Sequence, residues 1–205
     1  WTAGVRQRLS IPQREFLECI YSFASLPLDW ISSLPDPKDA LPVLRRAADL
    51  APADRLRTLT LPMDLSPEVY ETLDRIAENG TVTAKEKEIL GRNLTRRDKL
   101  LRAVELDNLI SVWVNPDKSS EQISTSLQGY YEAFFADEET RIRPALKSGL
   151  EHARELAGQV TLPALVEKLS RGVRFEDVES AQELILVPSY WLTPFVIPTY
   201  PAKGS

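Results

Sequence analysis

Fifteen prolines against eight glycines in 205 residues constrain this chain more than any other feature. Proline lacks the amide that a helix interior or a central strand needs, so each one marks a start, a stop or a bend. Pro12, Pro27, Pro35, Pro37, Pro42, Pro52, Pro62 and Pro67 cut the first third into short pieces. The apolar spacing between them predicts short helices around Arg14 to Phe23, Ala40 to Asp49 and Ala53 to Leu59.

From Ser66 the signals sharpen. Ser66 is placed to cap, Pro67 stands at the first helical position, and Val69, Leu73, Ile76 and Ala77 line one face before Asn79-Gly80 ends the helix. Thr83 and Glu86 form a capping box for a helix through Leu90. Leu106, Leu109, Ile110 and Trp113 recur at steps of three and four, which predicts a longer helix from about Arg96 to Val114, ended by Asn115-Pro116. The longest periodic run follows, from Ile123 toward Gly158, and Pro144 interrupts it. Its ring removes the amide that would bond the Thr140 carbonyl, so either the helix kinks there or a new one begins in the acidic turn Asp137-Glu138-Glu139. Thr161 and Pro163 open a last helix, carrying Leu165, Val166 and Leu169 and closed by Gly172.

Beyond Gly172, Val173-Arg174-Phe175, Leu184-Ile185-Leu186-Val187 and Phe195-Val196-Ile197 are β-branched and aromatic, and read as two or three strands. The expected fold is therefore mostly α: a multi-helix bundle over residues 1–172, then a small C-terminal β-hairpin over 173–205. The opening on Trp1 and the stop at Ser205 straight after an apolar stretch suggest that both ends are cut from something longer.

Charge and composition exclude several functions. With 25 basic and 30 acidic residues the net charge is −5, unsuited to coating nucleic acid. One cysteine, Cys19, closes no intramolecular disulfide, and no apolar run approaches the roughly 20 residues of a membrane span, so a cytoplasmic protein is expected. One Cys and one His, His152, assemble no soft-metal site, and glycines are too sparse for a nucleophile elbow, a phosphate loop or a dinucleotide fingerprint. Glu132, Asp137, Glu138 and Glu139, followed by Arg141 and Arg143, read as a solvated helix face with i,i+4 pairs. Arg92, Arg96 and Lys99 would share one face of the predicted helix and could touch phosphate, but Glu86, Glu88, Asp98 and Glu105 interleave with them. No enzyme, metal or cofactor is expected.

The aromatic residues are more informative. Tyr130, Tyr131, Phe134 and Phe135 spread over more than one helix face, because adjacent residues differ by about 100° around the axis. Trp113, on the preceding helix, is able to pack against part of that arc. These five residues are the candidate dimer interface or the lining of a pocket for a small apolar ligand.

Gly129-Tyr130-Tyr131-Glu132-Ala133-Phe134-Phe135-Ala136-Asp137-Glu138-Glu139, then Arg141 to Leu146, Leu169 to Val173 and Leu186 to Ser189, are similar to the non-DNA-binding domain of bacterial ArsR-type winged-helix transcriptional regulators. In that group a mostly helical domain precedes a C-terminal winged helix-turn-helix, which this chain lacks. The resemblance implies a cytoplasmic homodimeric regulatory domain that meets DNA only through a domain absent here; the thiolate pairs of the group's metal sensors are missing. A ligand-free protein interaction module would use the same aromatic face.

Overall fold

A computed structural model describes residues 8–36, 38–62, 65–96, 99–175, 178 and 184–190. The chain divides into two compact units, one running to Phe134 and the other beginning at Phe135. Among the described residues it is mostly helical.

The first unit contains α1 (Ile11–Phe23), α2 (Leu28–Ser33), α3 (Ala40–Ala48), α4 (Pro52–Thr60), α5 (Pro67–Asn79), α6 (Ala84–Asn93), α7 (Ala103–Trp113) and α8 (Pro116–Tyr130). Prolines stand in the first turn of α1, α4, α5 and α8, where a missing amide costs nothing. Gly80 ends α5 at φ 64°, a left-handed conformation that a side chain would strain. α2 escapes a periodicity reading because its six residues hold fewer than two turns. Helix α8 packs on α1, α3, α4 and α7, and buries the small residues Ser119, Ser120 and Ser126. The core of this unit is built around fully buried Leu56, Val69, Leu73, Ile76, Leu90 and Trp113.

The capping box on α6 is formed as its sequence implies. Thr83 donates its amide and its hydroxyl to the Glu86 carboxylate, each at 2.8 Å, and the Glu86 amide donates back to the hydroxyl at 3.3 Å. These bonds from Thr83, with Arg75 at 4.0 Å, hold the Glu86 carboxyl below the usual carboxylate range despite its burial. A carboxyl lowered in the folded state contributes stability above its unfolded value, near pH 4.3, and loses it as the pH falls through the folded value. Thermal unfolding followed from about pH 6 to pH 3 should therefore show a steeper acid loss for the native chain than for Glu86→Gln. Equal slopes would show that the box contributes nothing to the acid transition.

Two expectations are corrected. The helix predicted from Arg96 begins only at Ala103. Before it, β1 (Thr95–Arg96) and β2 (Lys99–Leu100) form an antiparallel ladder, with Thr95 opposite Leu100 and Arg96 opposite Lys99. The hairpin is anchored at its base, where Leu94 and Leu101 are buried and the Leu101 amide donates to the Leu94 carbonyl at 3.0 Å. Arg92, Arg96 and Lys99 thus share no helix face.

The second correction concerns the C-terminal β-hairpin. Residues 173–175 and 184–187 take no strand conformation, and Phe195-Val196-Ile197 lies outside the described residues. Ile185 and Val187 are 53% and 62% exposed, so β propensity here is not backed by the packed face that turns it into a strand.

Between α8 and the next helix the chain takes a π-helical turn, Tyr131–Phe135. In the second unit, α9 (Ala136–Ala157) follows directly on this turn and carries Asp137, Glu138 and Glu139 at its start. The backbone stays helical from α8 through the π turn into α9, and α9 continues through Pro144, so no separate helix starts in the acidic turn. Ile142 on α9 and Leu165 and Val166 on α10 (Leu162–Leu169) are the buried positions of this helix pair. Arg141 bonds Glu138 at 2.6 Å and donates to the Tyr190 hydroxyl at 3.2 Å, with its guanidinium 5.1 Å from that ring's centre. That contact fastens the 184–190 stretch to α9.

Candidate groove in the first unit

Within the first unit, α3 and α8 flank an open groove of about 410 Å³. Leu44, Ala47 and Ala48 of α3, Leu59 of α4 and Leu127 of α8 supply apolar surface. Gln13, Arg45, Ser124, Thr125, Gln128, Gly129 and Glu132 supply the polar part. The volume and the mixed lining fall in the range of small-molecule sites.

Two long-range contacts shape it. Arg55 on α4 donates from Nε to the Ala47 carbonyl at 2.9 Å, and from its two terminal nitrogens to the carbonyls of Ala48, of Leu50 at 2.8 Å and of Ser120 at 3.1 Å. One guanidinium thereby caps the C-terminal end of α3 and ties it to α8; its planar fork of donors suits this task. At the other wall, Gln13 closes a capping box with Ser10 and donates from Nε2 to the Thr125 carbonyl at 3.3 Å. A Cβ on Gly129 would stand 2.5 Å from that Nε2, so a larger residue there would displace the Gln13 amide from the Thr125 carbonyl.

Most polar lining groups are already engaged. Ser124 donates to the Ser120 carbonyl at 3.1 Å, Thr125 to the Glu121 carbonyl at 3.0 Å, and Gln128 to the Glu132 carboxylate at 2.6 Å. The Arg45 side chain, by contrast, is exposed and has no hydrogen-bond or ion-pair partner among the described residues. No nucleophile with an adjacent base lines the groove.

The predicted site residues lie beside the groove rather than in it. Trp113 is fully buried in the core, and its indole N–H meets no acceptor among the described residues. Phe134 is buried with its ring 5.5 Å from that of Tyr130 at an interplanar angle of 57°. Tyr130, Tyr131 and Phe135 are half-buried. Their neighbours Gln128, Gly129 and Glu132 form the groove wall instead. Gln13, Arg45 and Arg55 carried no site signal in the sequence, although Ser10-x-x-Gln13 is a readable capping box.

Elsewhere, burial pushes the half-buried Cys19 thiol up, which keeps it protonated and weakly nucleophilic at neutral pH. His152 is exposed on α9. A second groove in the first unit mixes Glu68, Glu71, Asp74 and Glu78 with Arg75 and Lys85. No group of three or more His, Cys, Asp or Glu among the described residues is placed to hold a metal ion. No described helix is long and apolar enough to cross a membrane. Comparison with protein-family models, with curated proteins and with solved structures returns no match for this chain.

Proposed function

We propose that this chain is the cytoplasmic sensor and dimerisation part of a bacterial transcriptional regulator of the ArsR type. It takes a small ligand with an apolar body in the α3–α8 groove and acts on DNA through a winged helix-turn-helix outside the chain. The observation that carries the reading is the position of one stretch. Gly129 to Glu139, the first part of the stretch that resembles those regulators, supplies a groove wall through Gly129 and Glu132 and contains the π-helical turn at which the chain passes from one unit to the other. Single π turns inside helices are common at functional sites. A ligand that shifts the end of α8 would act on the turn leading into α9.

Two measurements test this. Light scattering on the purified chain should return twice the 23.1 kDa monomer mass, as expected of a regulator that reads paired half-sites. A monomer at every concentration tried overturns the dimerisation role. At a net charge of −5, gel shifts with the chain alone should show only weak, salt-sensitive binding to duplex DNA. Sequence-specific binding that survives physiological salt would place DNA reading inside this chain and end the proposal.

A further inference from the structure

The groove's lining also selects a ligand class; this step rests on the reading that the groove is a ligand site. Leu44, Leu59 and Leu127 offer an apolar bed to a flexible chain or a ring. Two charged side chains border it, and they are not equivalent. Glu132 already accepts a 2.6 Å bond from Gln128. Arg45 stands in the last turn of α3, where a cation would ordinarily serve the helix's terminal carbonyls. Arg55 has taken the carbonyls of Ala47, Ala48 and Leu50, so Arg45 is left without that role. Glu132 keeps its negative charge, so the groove carries one charge of each sign; the cation is the one whose side chain has no partner among the described residues, and a guanidinium matches a carboxylate with two parallel hydrogen bonds.

We propose that the groove binds an amphipathic organic anion, a carboxylate with an apolar tail, with the tail on Leu44, Leu59 and Leu127 and the carboxylate on Arg45.

The probes are decanoate, decanol and decyltrimethylammonium, which share a tail and differ in head charge. Titration calorimetry on the full chain should show decanoate binding most tightly. Arg45→Gln should weaken decanoate by roughly tenfold, the scale of one charge-assisted contact, and leave decanol unchanged. Ala48→Trp, which fills the groove from an exposed position, should abolish binding of all three. Arg45→Glu provides an independent check should that variant misfold, because it should reverse the order of decanoate and decyltrimethylammonium. If decanol or the cation binds native protein as tightly as decanoate, the anion preference is wrong while the groove stands as a ligand site. Binding that survives both Ala48→Trp and Arg45→Glu lies elsewhere and overturns the assignment. If none of the three binds, the groove is no site for such molecules, and the dimerisation role is decided separately by light scattering.

Discussion

Arg55→Ala should cost the first unit about 3–4 kcal/mol, a large fraction of the total stability of an ordinary domain. The side chain donates to four carbonyls, of Ala47, Ala48, Leu50 and Ser120; two of those belong to the end of α3 and Leu50 lies just past it. Hydrogen bonds from a charged donor contribute roughly 1.5–3 kcal/mol each, and bonds made by one side chain do not add in full. Arg55→Lys should recover little of the loss, because an ammonium on a flexible stem cannot reach four acceptors spread around a planar fork. Urea unfolding is the test: the midpoint should drop for both variants with the slope unchanged. A loss under about 1 kcal/mol for Arg55→Ala would show that water replaces the guanidinium without penalty. Because α3 carries Arg45 and one wall of the groove, the same variant should weaken decanoate before it unfolds the chain.

Trp113→Ala should be as damaging, at about 3–5 kcal/mol, because a fully buried indole leaves a cavity the surrounding helices cannot close. Trp113→Phe should cost far less. The indole N–H meets no acceptor among the described residues, so its removal forfeits no hydrogen bond and relieves a buried donor of its desolvation penalty. The pair of variants, compared by thermal unfolding, separates volume from polarity. A Trp113→Phe loss equal to that of Trp113→Ala would point to a hydrogen-bonded indole instead. Decanoate affinity should be unchanged in Trp113→Phe, since Trp113 serves the core and does not line the groove.

Much of the helical layout was readable from local signals. Pro67 with Gly80, the Thr83 and Glu86 box, and Asn115-Pro116 each act within one helical turn, and the helices end where those residues say they should. Periodicity carried less reliably where two elements met. The reading of Arg96 to Val114 as one helix extended a true pattern, Leu106 to Trp113, backward over a segment whose leucines at 94 and 101 are buried by a hairpin. The five aromatic residues do not line the groove. A helix carrying rings on several faces must bury them, and Phe134 and Tyr130 do so partly against each other. The wall of the groove was left to the less conspicuous Gln128, Gly129 and Glu132.

By itself the sequence determined that this protein is mostly helical, where most of its helices start and stop, and that its overall charge is unsuited to holding DNA unaided. Those properties come from caps, prolines and charge, which act over a few residues or simply add up. Only the tertiary structure decided where a ligand could sit. The groove depends on Arg55 reaching Ser120, 65 residues away, and on Gln13 reaching Thr125, 112 residues away. Arg55, not the nearer Arg45, takes the carbonyls at the end of α3. Such contacts form when helices that are each individually marginal in water dock and exclude it, and no pattern within one helix encodes which distant carbonyl a side chain will meet.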